Sequence, residues 1–286
     1  MINSIRKGTR VLLNSCNGSI KRFIVKYMIP AKLLSWYNNY STDVFLISFP
    51  KAGRTWLRTM VGRALELHYG LGEGNALKLT QLTKINPIIP KIQVIHDDEP
   101  QVKRPDELIT KKNGYKWGKV IFLVRDPRDV IVSLYFQEKK RLKEEVGTLE
   151  EFIFRERGGI ETIVEYYNIW LNNRDIPKDF LLVSYEGLHK NPTYELSRVL
   201  EFIGIEEVSN EVVQQAVEYS SFDNMRKMEE QDKFKSDKLR PGDPRDPESF
   251  KTRKGRVGGY REYLGEKEQE RLKRTMKKME IDTYTD

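Results

Sequence analysis

The chain has little of what disulfides, metal sites and membrane spans are made from. Its 286 residues include one cysteine, Cys16, which excludes an intramolecular disulfide and suits a reducing compartment. Three histidines, His68, His96 and His189, are scattered, so no metal-ligand cluster is expected. No apolar run is long enough to span a bilayer. Val11-Leu12-Leu13 is too short for a signal-peptide core, and Lys26, Pro30 and Lys32 interrupt residues 23–34. Internal repeats and low-complexity tracts are missing, and no linker cuts the chain into comparable halves. A Gly-Lys-Ser/Thr sequence is missing too, which excludes a Walker A loop.

What is present is positive charge and an alternation of apolar runs. The net charge of +8 suits a polyanionic ligand or nucleic acid. Many basic residues alternate with acids, as over 245–248 and 266–268, which is the pattern of a solvated face, so a nucleic-acid-binding module is the weakest alternative. Strand-like runs at 44–49, 92–95, 120–124 and 180–184 alternate with helical patterns, predicting an α/β chain with a central parallel sheet flanked by helices. The clearest helix starts at Pro192, carries Leu196, Val199, Leu200 and Ile203 on one face, and stops at Gly204. The organisation expected is an N-terminal helical extension over 1–40 and one main domain over 41–286. The basic extension could lie on an anionic membrane, but a helix packed on the scaffold is the first expectation.

Two segments carry chemistry. In the first, Val44 to Phe49 reads as a buried strand stopped by Pro50. Lys51, Gly53, Arg54 and Thr55 follow as a short basic loop, and then Leu57, Met60, Val61, Ala64 and Leu65 recur at helical spacing. A strand, a glycine-containing loop with a lysine and a helix start make a cradle for an anion, because free N–H groups and the helix dipole converge there. The same residues would also suit a structural turn. In the second segment, strand 120–124 ends in Arg125-Asp126-Pro127-Arg128-Asp129. Asp126 can cap a helix that Pro127 begins, and Ser133 lies two turns in. An arginine at a strand's C-terminal end is where open α/β sheets contact ligands, although pairing with Asp126 or Asp129 accounts for it equally.

Together the segments resemble the PAPS-dependent sulfotransferase family, where PAPS is 3′-phosphoadenosine 5′-phosphosulfate. Phe49-Pro-Lys-Ala-Gly-Arg-Thr-Trp56 is similar to its 5′-phosphosulfate loop, and Arg125 with Ser133 to its 3′-phosphate motif. Leu181 to Glu186 followed by Lys190-Asn-Pro192, Ser220-Ser-Phe222-Asp-Asn-Met225, and Arg253-Lys254-Gly255 with Gly258 and Gly259 match further family segments in the same order. The resemblance spans residues 41 to 265 and implies the family's P-loop-like nucleotide-binding fold, with PAPS as cofactor and adenosine 3′,5′-bisphosphate (PAP) as product. It implies that Lys51 and the amides of Gly53, Arg54 and Thr55 hold the 5′ end, with Lys51 also stabilising charge on the leaving phosphate. Arg125, Ser133, Arg253, Lys254 and the Gly255 loop would hold the 3′-phosphate. Trp56 and Phe222 would enclose the adenine, with Tyr185 and Ser220 beside the nucleotide.

The resemblance also makes His96, at the end of a strand-like run, the general base facing an acceptor hydroxyl. Asp97 and Asp98 are the fallback bases, while His68 and His189 read as solvated or structural. Many relatives carry a lysine two residues before this histidine. Val94 stands there, so an accessory cation must come from elsewhere. Thr252 precedes Arg253 where the family often has an aromatic residue, which puts any adenine contact of Phe250 in doubt. The family's short C-terminal dimerisation segment has no clear copy, so no oligomeric state is implied.

The reading is a cytoplasmic, metal-independent sulfotransferase acting on a hydroxyl, or in second place an amine, of a small-molecule, lipid or glycan acceptor. Its main rival is a P-loop-like nucleotide or small-molecule kinase, which would need Mg²⁺. Loops 70–91, 97–117 and 135–160 are expected to build the acceptor pocket. Residues 226–259, rich in lysine and arginine and containing three prolines, are expected to form a mobile lid ending in the 3′-phosphate loop.

Overall fold

The computed structural model describes residues 38–277. Cys16 and the extension expected over 1–40 lie outside the described residues, except for helical residues 38–40. Four parallel strands, β1 (Val44–Ser48), β2 (Ile92–Ile95), β3 (Lys119–Val124) and β4 (Asp179–Ser184), make one sheet in the order β2-β1-β3-β4. Val44 pairs with Ile92 on one side and with Lys119 on the other; Lys119 in turn pairs with Asp179. The expected runs fall within a residue of these strands. The helices are α1 (Arg54–His68), α2 (Leu79–Ile85), α3 (Pro127–Phe136), α4 (Leu149–Ile153), α5 (Ile160–Asn172), α6 (Tyr185–Lys190), α7 (Pro192–Phe202), α8 (Asn210–Tyr219), α9 (Phe222–Glu230) and α10 (Glu266–Met276).

Every residue of β1 is buried because helices cover both faces of the sheet, which is why its sequence is a continuous apolar run. Phe45, Ile47, Val120 and Phe122 point into one layer with α3, α5 and α10, where the Phe122 ring stacks on Trp170 at 5.7 Å. Val44, Leu46, Ile121 and Leu123 point the opposite way, against α1, α7 and α8. Each such buried side chain contributes about 1.5–3 kcal/mol.

The chain leaves β1 toward β2 but leaves β3 toward β4, so the sheet reverses direction between β1 and β3. Ligands bind in the crevice at such a switch point, outside the carboxyl ends of the strands. The two informative loops, residues 49–53 after β1 and 125–126 after β3, flank that crevice. Asp126 caps α3 by accepting from the Arg128 N–H at 2.9 Å with Pro127 in the first turn, and Asn191 caps α7 by accepting from the Tyr194 N–H. Among the described residues no helix is long and apolar enough to cross a membrane.

Candidate active site

The loop after β1 is shaped by backbone that side chains tolerate poorly. Lys51 has φ 72° and Gly53 φ 95°; a Cβ on Gly53 would lie 2.5 Å from the Tyr185 ring. Gly53 caps α1 with no side-chain acceptor, so the first N–H groups of the helix face the crevice without a built-in partner. No acidic residue stands in that first turn, which leaves the dipole's positive end free for an external anion.

This loop opens onto a cavity of about 330 Å³. Lys51, Gly53, Arg54, Thr55 and Trp56 line it from the β1 side, and His96 from the end of β2. Arg125 and Ser133 enter from the end of β3 and from α3, Tyr185 from the start of α6, Ser220 from the end of α8 and Phe222 from the start of α9. Arg253, Lys254 and Gly255 complete the wall. His96, Lys51 and the nucleotide-binding residues read from the sequence therefore meet in one place, although they come from segments far apart in the chain. Leu188, His189, Pro192, Met225, Lys251 and Thr252 line it as well.

Arg125 donates to the carbonyls of Lys51 and Arg256 at 3.3 and 3.1 Å, lies 3.4 Å from Asp129, and stacks 4.2 Å over the Tyr185 ring. The Asp129 pairing is thus present, and Arg125 still reaches the cavity, where its buried Nε has no partner. Asp129 also accepts from the N–H groups of Gly258 and Tyr260 at 2.8 and 2.9 Å, tying the C-terminal glycine loop to α3. Arg253 rests on Glu248 and the Tyr263 hydroxyl, and Lys254 pairs with Glu262. Gly255 (φ 59°) passes so close beneath Phe222 that a Cβ would fall 2.2 Å from its ring. Trp56 packs on Tyr185 and His189 at 5.6 and 4.9 Å, while the fully buried Ser220 hydroxyl has no partner.

His96 is oriented by its neighbours. Nδ1 lies 2.9 Å from the Ser48 carbonyl, which can only accept, so Nδ1 carries the proton. Nε2 lies 2.6 Å from Nη2 of Arg54, which can only donate, so Nε2 offers its lone pair. Burial, and then the Arg54 charge, pushes the imidazole down to about 3, against an upward pull from the Ser48 hydrogen bond. It is neutral at physiological pH. Burial, followed by the charges of Lys251, Arg141 and Arg253, holds the Lys51 ammonium well below its ordinary value. Lys251 is pushed down to about 7 by burial, with Arg141 and Arg54 adding. Such mutual repulsion is relieved when an anion enters.

Several sequence expectations are corrected. Asp97 is held by Lys112 at 2.6 Å and by the Tyr115 hydroxyl, and Asp98 accepts from Lys103 and from the Ile109 N–H. Both fallback bases are therefore committed to holding their loop. The lining of this cavity includes no residue from 70–91, 97–117 or 135–160, the stretches expected to build the acceptor pocket. His189 is not simply structural, since it lines the wall between Trp56 and Tyr185. Phe250 is buried beneath Arg226, whose guanidinium sits 3.3 Å over the ring, away from the cavity. Lys251 was missed altogether; its place two residues before Arg253, in an otherwise assigned loop, was the available signal.

Residues 226–259 pack through Met228, Phe234 and Leu239, which join Ala76, Leu77 and Met225 in a third apolar cluster. Glu229 fastens the segment's far end by accepting from the N–H groups of Lys251 and Thr252 at 2.6 and 2.8 Å.

Comparison with known proteins identifies the family and agrees with the fold. A sulfotransferase-domain family model matches residues 41–283. Cytosolic sulfotransferase 12 of Arabidopsis thaliana is 27% identical over 261 residues, covering 82% of this chain and 76% of the relative. The 3-beta-hydroxysteroid sulfotransferase of Cavia porcellus is 28% identical over 236 residues, covering 78% of each. Among solved structures, retinol dehydratase in complex with androsterone and the inactive cofactor PAP superposes with a TM-score of 0.60 at 18% identity, over 87% of this chain and 85% of that one. A mouse sulfotransferase complexed with PAP gives a TM-score of 0.58 at 19% identity, over 85% and 86%. The chain belongs to the sulfotransferase family, as one of its PAPS-dependent enzymes.

Proposed function

We propose that this enzyme moves a sulfuryl group from PAPS to a hydroxyl, or secondarily an amine, of a small-molecule, lipid or glycan acceptor, in the cytoplasm. The observation that carries the reading is the meeting of the Lys51 loop, the Arg125–Ser133 pair and the Arg253–Gly255 loop around one cavity. The partnerless Ser220 hydroxyl and Arg125 Nε, both buried, are polar atoms that a nucleotide bisphosphate would satisfy.

Lys51 and the N–H groups at the start of α1 would hold the 5′ end. Arg125, Ser133, Arg253 and Lys254 would hold the 3′-phosphate once the two C-terminal cations turn from Glu248 and Glu262. Trp56 and Phe222 would enclose the adenine. When bound there, PAPS would supply the sulfuryl group for the acceptor oxygen, with PAP as the leaving group that keeps the electron pair of the broken S–O bond. His96 Nε2 takes the proton of the acceptor hydroxyl, with Nδ1–H anchored on the Ser48 carbonyl. Lys51 stabilises the departing phosphate in a site already arranged for negative charge. Residues 226–259 act as a lid that the nucleotide draws closed.

Because Lys51, Arg54 and Lys251 already concentrate positive charge at the reacting end, a divalent cation is not needed there. Transfer of label from ³⁵S-PAPS to a pooled metabolite extract should therefore continue in EDTA. Absence of ³⁵S transfer, with Mg²⁺-dependent transfer of ³²P from γ-³²P-ATP that EDTA abolishes, would favour the kinase reading instead.

A further inference from the structure

The reacting end of the cavity holds more positive charge than the two phosphate sites require. Arg54 sits directly on His96, and its buried Nη1 has no partner. One turn along α1, Arg58 is only 8% exposed, yet its Nε also has no partner, and no ion pair compensates it among the described residues. Lys251 lines the cavity beside Arg54. Lys238 lies exposed on the turn Asp237–Leu239 of the lid segment, outside the cavity lining but within reach of the Arg58 charge. The Arg58 charge, ahead of burial and of the Arg54 charge, holds its ammonium below the ordinary value. Burial pushes Arg54 and Arg58 each down to about 10, with the Arg58 charge adding to the effect on Arg54.

Counter-charge is scarce. Glu229 is the acid that offsets Lys51 and Lys251, but its oxygens are taken by the N–H groups of Lys251 and Thr252 and by the Thr252 hydroxyl. Arg141 reaches the same region and satisfies itself on the carbonyls of Asp237 and Arg240. Arg54 and Lys251 are left lining the cavity with His96, and the buried Arg58 lies one turn along α1 from Arg54.

We infer that the acceptor is an alcohol or phenol carrying its own anionic group, a carboxylate, phosphate or sulfate, close to the hydroxyl it presents to His96. This rests on the sulfotransferase reading above and narrows its acceptor. A wholly apolar acceptor would leave Arg54 Nη1 and Arg58 Nε buried without partners, which is costly for charged groups. An anionic one supplies the missing partner. It also explains how the base is released: the acceptor's anion draws the Arg54 guanidinium off Nε2 and leaves the lone pair free for the incoming hydroxyl. The sulfated product keeps the original anion and gains a second.

The test uses the full chain. A low-molecular-weight extract is split by anion exchange into anionic and neutral fractions, and each is incubated with enzyme and ³⁵S-PAPS while PAP binding is followed by calorimetry. Label should enter the anionic fraction at least tenfold more than the neutral one. Label in the neutral fraction, or in neither while PAP binds, overturns the inference. Failure of PAP to bind removes the underlying sulfotransferase reading instead. For the purified acceptor, Arg58→Gln should raise KM by about tenfold or more, as for loss of a hydrogen bond to charge. Arg58→Lys should recover most of that loss, and PAP affinity should change less than twofold. A matching loss of PAP affinity with KM unchanged would assign this cation to the nucleotide and end the proposal.

Discussion

At the scale of single residues, the account turns on an imidazole held neutral by burial and by an arginine. Removing it in His96→Ala should lower kcat by roughly 10²-fold or more, as expected for a positioned base, while PAP affinity stays nearly unchanged. Near-normal turnover in that variant, with loss in Asp97→Asn instead, would move the base to the acids. The pH profile follows from the same environment. A base works when deprotonated, and His96 is pushed down to about 3. The acid limb of kcat/KM should therefore not lie near the ordinary histidine value of about 6.5. Activity should persist unchanged from pH 7 to pH 5, and a fall centred near 6.5 would contradict the assigned environment. Lys251, pushed down to about 7, adds the opposite trend. An anion stabilises its charged form and raises its bound-state value, so the affinity it contributes is complete below about 7 and lost as pH rises through the bound value.

At the scale of elements, strand-loop-helix units do the positioning. Gly53→Ala places a methyl on left-handed backbone against the Tyr185 ring, and should lower stability by about 1–3 kcal/mol together with PAP affinity. An unchanged melting midpoint would show that the loop yields without strain. The segment 226–259 is pinned near its start by Met228 and at 251–252 by Glu229, and between those points its buried apolar anchors are Phe234, Leu239 and Phe250. Amides across 230–252 should exchange fast in the free enzyme and slowly with PAP bound. Equal protection in both states would make the segment a fixed wall. These units were the most legible part of the sequence, because their signals are local. The apolar run before Pro50 and the Asp126-Pro127 helix start each lie within a few residues and need no knowledge of the rest of the fold. What escaped was long-range side-chain geometry. Arg54 read as a loop residue until the parallel β1–β2 pairing brought it onto His96, 42 positions away. His189 read as a turn residue until α6 folded it against Trp56. Asp97 and Asp98 read as candidate bases because nothing nearby in sequence announces Lys112 and Tyr115 as their partners.

At the scale of the whole molecule, the sheet reversal between β1 and β3 puts two cationic loops on opposite flanks of one crevice, and the C-terminal glycine loop closes over it through Asp129. One strand-loop-helix unit is enough for a single phosphate group. The second unit and the closing loop have a purpose only for a ligand with phosphates at both ends, which is the central claim. Arg125→Ala should accordingly weaken such a ligand by about 1.5–3 kcal/mol, the worth of hydrogen bonds to charge, and leave a 5′-monophosphate less affected. The most direct measurement is calorimetric titration of the free enzyme with PAP and with AMP, which differ only in the 3′-phosphate. The account predicts that PAP binds at least tenfold more tightly, and that Arg125→Ala removes most of the difference; equal affinity for the two nucleotides would contradict it.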